Sequence, residues 1–236
     1  NSREVCGVID IGAGTTDIAI LFFLTPDGDA ISEKVFQKKA ILLTDPQSIP
    51  YAGDFIDEAL IEIIEKKMSQ LWLSPEKYAK ILGTTKSGIR DVKERLFTSG
   101  IWVGQHFSVN IDELLNTENL RLMQKNIAEC FVEMVRAAKS DLIRLYNVLT
   151  NYVRHIDLAF AGGGAQLDFV KFCIPSEIDL GDGVFLLIKQ VESAENAIGD
   201  NDQTLHARLA VCAGGTTPAT DWPTNNTNAA RFGPSD

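Results

Sequence analysis

The sequence predicts an α/β fold: a mixed β-sheet flanked by helices, with an inserted, mainly helical subdomain. Three observations carry that expectation. Near the N-terminus, two apolar runs meet at a small, glycine-rich turn, the pattern of a β-hairpin. Over residues 117–152, Leu120, Met123, Ile127, Phe131, Met134, Val135, Ala138, Leu142, Leu145 and Leu149 recur at helical spacing as one apolar stripe. Directly after it, the apolar run from Ile156 to Ala161 ends in Gly162-Gly163-Gly164 and opens toward another helix.

Taken in order, strands are expected over residues 4–10, 17–24 and 34–43, joined by turns such as Pro26-Asp27-Gly28-Asp29, which gives an antiparallel meander. Residues 54–68 follow as a helix, because Phe55, Ala59, Ile63 and Ile64 share one face and lysines gather late. Pro75 opens a second helix toward Leu82, and a third covers residues 87–97. Residues 101–109 alternate like a hairpin edge, and residues 112–115 start a short helix. The long stripe is read as one core-packing helix, too wide for a coiled-coil seam. After the strand at 156–161 come a helix at 165–173, a strand at 184–189 and a helix at 201–213. Beyond Gly214 the residues are Thr, Asn, Pro, Gly and Asp with little to bury, so 215–236 is expected to be a flexible or irregular tail.

At 236 residues and 45% hydrophobic, the chain has ample material for a core. A net charge of -10 argues against a nucleic-acid or anionic-membrane surface and is compatible with a magnesium-nucleotide site. No run approaches the roughly 20 apolar residues of a membrane span. Cys6, Cys130, Cys173 and Cys212 lack metal-ligand spacing and stand in apolar settings, as expected of buried thiols in a reducing, cytoplasmic compartment.

The chemistry concentrates in the first turn. Gly12 and Gly14, with Ala13 between them, let main-chain N–H groups approach an anion unobstructed. Thr15 and Thr16 add hydroxyl donors. Asp10 and Asp17 bracket the turn and would repel a phosphate directly, so their sensible role is to hold a hydrated Mg²⁺ that bridges to it. A plain hairpin with two surface aspartates is the alternative reading. No lysine follows the glycines and the next segment is β-like, which sets the turn apart from Walker and Rossmann phosphate loops. At Gly162-Gly163-Gly164 the missing side chains let a flat base or ribose rest on backbone; the alternative is a tight turn that needs glycine for packing.

The segment from Asp10 to Asp17 resembles the second phosphate motif of the actin-like ATPase superfamily, Asp-x-Gly-x-Gly-Thr-x-Asp. That superfamily includes sugar kinases, actin, bacterial filament proteins and DnaK-type chaperones. Tyr51-Ala52-Gly53-Asp54-Phe55-Ile56-Asp57 resembles the helix start that follows this motif, and Ile156 to Ala165 resembles the adenosine motif. All three stand in the family's order. The resemblance implies a ribonuclease H-like lobe of the actin/DnaK type over residues 1–214, the second lobe of the nucleotide-binding domain, with an inserted subdomain at about 53–115.

It further implies ATP or ADP with Mg²⁺ as cofactors. Asp10 and Asp17 would orient the metal's waters, and Thr15 with the turn amides would hold phosphate oxygens during attack of water. Gly53 lies near the phosphates in the family, with Asp54 a secondary candidate. Lys93 and Glu94, in the charged helix segment Asp91 to Leu96, stand where the family reaches ribose and base. Gly162, Gly163 and Gly164 meet the adenosine, and Gln166 stands where chaperones stack an arginine on adenine, a departure from the family.

Each lobe of such an ATPase begins with an Asp-x-Gly hairpin, and this sequence contains one. The expectation is therefore that an N-terminal lobe, in the same or a separate chain, completes the site, and that these residues alone bind nucleotide poorly without hydrolysing it. The implied function is a nucleotide-driven conformational switch coupled to a protein client. Alternatives are a self-assembling actin-like filament or cell-division scaffold similar to FtsA or MreB, and a non-catalytic pseudo-ATPase interaction module.

Overall fold

The computed structural model describes residues 2–25, 39–148 and 155–191. The expected turn at 26–29, the first part of the third strand, the end of the long helix, the helix at 201–213 with Cys212, and the tail at 215–236 lie outside the described residues.

β1 (Ser2–Ile11) and β2 (Thr16–Thr25) form the expected antiparallel hairpin, in a register that sets Asp10 opposite Asp17 and Ile11 opposite Thr16. β3 (Lys39–Leu42) pairs with the second half of β2, and the unexpected short strand β4 (Gln47–Ile49) pairs with its start. Three helices follow: α1 (Gly53–Ser69), α2 (Pro75–Ser87) and α3 (Ile89–Ser99). Their ends follow local chemistry. Ser74 caps α2 by accepting from the Lys77 amide ahead of Pro75, and α3 stops at Gly100, whose φ of 76° continues no helix.

Residues 101–109 form a small separate hairpin, β5 (Ile101–Val103) and β6 (Ser108–Asn110), which leads into α4 (Ile111–Leu115). The long stripe is divided between two helices, α5 (Glu118–Ala137) and α6 (Lys139–Val148), which meet at Ala138. Its members from Leu120 to Leu145 are all buried, so the stripe runs through the break unchanged. Then come β7 (His155–Ala161), a 3₁₀ turn (Gly163–Gln166), α7 (Asp168–Lys171), β8 (Glu177–Asp179) and β9 (Phe185–Gln190). The helix expected at 165–173 is thus a 3₁₀ turn followed by one α-turn.

The fold is α/β. The main sheet runs β3-β2-β1-β7-β9-β8 with β4 beside β2. β1, β7 and β9 are parallel, while β2, β3, β4 and β8 run antiparallel to their partners. One face carries the core: Ile9 and Ile11 of β1, Ile18 and Ile20 of β2, and Ile156 and Leu158 of β7 are buried with residues of α1 and α5. Gly7 sits in β1 on this face, where a Cβ would come within 2.9 Å of the Phe131 ring, so the missing side chain admits the α5 phenyl group. In α1 the buried residues are Ile56, Ala59, Leu60, Ile64 and Met68, with Phe55 and Ile63 only partly buried, a stripe rotated from the expected one. The opposite sheet face is only partly covered among the described residues, with Phe185 50% and Leu187 44% exposed on β9.

Candidate functional site

β1 and β7 lie side by side and parallel, with Asp10 next to Ala161 at their carboxyl ends. Both strands run from there into glycine-rich turns. The chain then leaves in opposite directions, from β1 toward β2 and from β7 toward β9. In open α/β sheets, ligands bind outside the carboxyl ends of strands at such a reversal.

The first turn is closed by the Gly12 amide donating to the Thr15 carbonyl at 2.9 Å. It is also gripped from outside. The Gly53 amide donates to Gly12 O at 3.1 Å and the Asp54 amide to Ala13 O at 2.6 Å, so the first amides of α1 hold the turn's carbonyls. Thr16 is fully buried, and its hydroxyl donates to the Tyr51 carbonyl at 2.5 Å, tying β2 to the approach to α1. Expected from the sequence to face an anion, the Thr16 hydroxyl is placed instead as a strut beneath the turn.

What remains open is the tip. Ala13, Gly14 and Thr15 are exposed, and among the described residues their three consecutive amides take no protein acceptor. Successive unengaged N–H groups at a turn form an anion-binding concavity. The Thr15 hydroxyl, also exposed, lies 3.3 Å from Asp17 Oδ2 and donates to it.

Asp10 and Asp17 flank this tip from opposed positions on the two strands. Burial raises the Asp10 carboxyl above its ordinary value, and the negative charge of Asp17 raises it further. Asp10 is partly buried and Asp17 exposed, so the two opposed carboxylates beside the turn could take a cation between them from the solvent side. Among the described residues no group of three or more His, Cys, Asp or Glu is gathered for metal ligation. Two carboxylates suit Mg²⁺, which keeps several waters and takes one or two protein carboxylates beside the phosphate oxygens.

The second glycine turn packs directly on the first site. Gly162, at φ 78°, lies against the Asp10 carboxylate and the Ile11 carbonyl, whose carbon would be 2.8 Å from a Cβ at this position. Gly164 lies on the Ile11 side chain, where a Cβ would come within 2.6 Å of Ile11 Cβ. Gly163 differs: it is exposed, and among the described residues nothing stands within 4 Å of where its Cβ would be. Gln166 ends the 3₁₀ turn, and its side chain lies outside the described residues.

Of the other sequence candidates, Gly53 touches the first turn through its amide's hydrogen bond to Gly12 O. Lys93 reaches the same region from α3: its ammonium lies 2.7 Å from Asp57 Oδ1 and donates to Gly53 O at 3.1 Å. Glu94 stands on α3 with Arg90 at 3.7 Å, one turn earlier on the helix. Asp57 was not singled out from the sequence, although its position four residues after Gly53 puts both on one face of the first helical turn. Cys130 and Cys173 are free thiols, and burial pushes Cys173 up to about 11, so it stays protonated and unreactive.

No helix among the described residues is long and apolar enough to cross a membrane. The chain matches no protein-family model, and no curated protein sequence matches it.

Proposed function

We propose that this chain is the ATP-binding lobe of an actin-superfamily, DnaK-like ATPase, working as a nucleotide-driven conformational switch. One observation carries the reading: the Asp10 to Asp17 hairpin, the start of α1 and the Gly162 to Gly164 turn, far apart in sequence, meet at the carboxyl ends of two adjacent parallel strands. The sheet order β3-β2-β1-β7-β9, three antiparallel strands followed by two parallel additions, supports the ribonuclease H-like form of that lobe.

In this reading the amides of Ala13, Gly14 and Thr15 donate to the phosphate oxygens of ATP or ADP, with the Thr15 hydroxyl beside them. Asp10 and Asp17 hold a hydrated Mg²⁺, which supplies charge neutralisation where negative charge develops on the phosphoryl oxygens. Gly163 leaves the room a ribose or base needs next to the hairpin. The lobe supplies one carboxylate-flanked phosphate turn, and a facing lobe supplies the other, so closure around the γ-phosphate and reopening after its loss constitute the switch.

Equilibrium binding of a fluorescent ADP analogue, in Mg²⁺ or in EDTA, tests this. Weak, Mg²⁺-dependent binding is expected, lost in Asp10→Asn while the far-ultraviolet dichroism is unchanged, and the 236-residue chain alone should turn over no ATP. Absence of saturable binding at millimolar Mg²⁺ and nucleotide, or binding indifferent to both EDTA and Asp10→Asn, overturns the proposal.

A further inference from the structure

We infer that Lys93 is a positioning residue for the phosphate turn, acting through Asp57 and Gly53 without touching nucleotide. Its effect on binding rests on the nucleotide-site reading above; its effect on the turn does not.

The geometry is a relay of three contacts. Lys93 Nζ is 2.7 Å from Asp57 Oδ1 and donates to Gly53 O at 3.1 Å. Gly53 in turn donates its amide to Gly12 O, and the next amide, of Asp54, holds Ala13 O. Gly53 is therefore held at both ends of its backbone, by α3 on one side and by the phosphate turn on the other. Its own packing makes the grip close: a Cβ on Gly53 would lie 3.2 Å from Gly12 O and 3.3 Å from Ala13 O.

Burial decides between a strut and a ligand. The side chains of Lys93 and Asp57 are each only 19% exposed. Asp57 Oδ1 is buried and receives no well-directed hydrogen bond, so the Lys93 ammonium compensates it as a charge. Swinging the ammonium out to a ribose or base would leave that carboxylate oxygen buried without its counter-charge, which is strongly unfavourable. An exposed lysine would face no such obstacle. The pair thus fixes α3 to the first turn of α1, and α1 fixes the carbonyls that orient the free amides of Ala13, Gly14 and Thr15.

A strut and a ligand respond differently when Asp57 is altered. Residue-resolved hydrogen exchange on the protein without nucleotide is the first measurement. In Lys93→Met and in Asp57→Asn, exchange at the Gly12, Gly53 and Asp54 amides should quicken about tenfold, with no further gain in the double variant, while Val8 and Ala19, opposed in the β1–β2 ladder, keep their protection. Lys93→Arg, which keeps the charge, should restore most of the protection. Unchanged exchange at those amides in either single variant overturns the proposal, as does uniform acceleration across the sheet.

Binding of Mg²⁺ and the fluorescent ADP analogue is the second measurement. Both single variants should weaken it by the same factor, roughly five- to tenfold, and the double variant by no more. Loss in Lys93→Met with wild-type binding in Asp57→Asn identifies a direct ligand and overturns the strut. If the wild-type protein binds no nucleotide, the functional reading fails while hydrogen exchange still decides the role of Lys93.

Discussion

The two glycine turns look alike in sequence and are built on opposite principles. Around Gly12 and Gly14 the glycines keep side chains away from an exposed tip whose amides face outward; a Cβ on Gly14 would have Asp54 Oδ2 as its nearest neighbour, at 3.6 Å. Around Gly162 and Gly164 the glycines are buried and let two strand ends touch, Gly162 against Asp10 and Ile11, Gly164 against Ile11. One turn is open so that something else can approach. The other is closed because the protein itself already occupies the space. Composition alone does not separate these uses, whereas the position of each absent Cβ does.

The largest effect should come from filling the closed turn. Gly162→Ala combines a positive φ with overlap on Ile11 backbone, and Gly164→Ala overlaps the fully buried Ile11 side chain at its branch point; each should cost about 3 kcal/mol in chemical denaturation. Next is Thr16→Val, which removes the donor that ties Tyr51 to β2. A loss of about 1 to 2 kcal/mol is expected, with the hairpin intact by dichroism.

A smaller effect, of opposite sign, is expected at Asp10. Its carboxyl titrates above 3.8 in the folded protein through burial and the charge of Asp17, so the folded state holds that proton more tightly than the unfolded chain. Its contribution to stability therefore rises as pH falls from neutral through the raised value and levels off below 3.8. Asp10→Asn should abolish that component and raise Tm slightly at pH 7 without metal, and Mg²⁺ affinity of the parent should fall over the same acid window. Melting curves at several pH values, with and without Mg²⁺, read both. A parent and variant with identical pH profiles would show that the Asp10 carboxyl does not couple to folding.

The smallest stability change is expected at Gly163→Ala, within about 0.5 kcal/mol, because none of the described residues stands near the new methyl group. The same substitution should weaken nucleotide binding, which would sharpen the contrast among the three consecutive glycines. A large loss of stability there would erase it.

Much of this was readable before the structure. Asp10 and Asp17 fall at equal distances from a turn between two apolar runs, and antiparallel pairing then makes them neighbours. The buried stripe from Leu120 to Leu145 follows from 3.6-residue spacing alone. The break at Ala138 does not, since alanine favours helix and neither proline nor glycine marks the place. Strands β4 and β8 are three residues long, too short for alternation to register. Within the site, residue type pointed to Thr16 as an anion donor, yet strand alternation puts it on the buried face with Ile18 and Ile20, where its hydroxyl must find a carbonyl. Lys93 and Asp57 could not be joined from sequence, because their contact crosses between two helices 36 positions apart.

The parallel pairing of β1 with β7 also has a consequence for biosynthesis. Cys6 pairs with Asp157 and Asp10 with Ala161, so the two strands that frame the site emerge from the ribosome about 150 residues apart. At ordinary translation rates that is a wait of roughly 8 to 30 s, long enough for the β1–β2 hairpin to form with one hydrogen-bonding edge unclaimed. Until β7 arrives, that edge is a template for any passing strand. The site between the two glycine turns is thus among the last features to be completed during synthesis, and the nascent chain is most exposed to mispairing on the strand that carries Asp10.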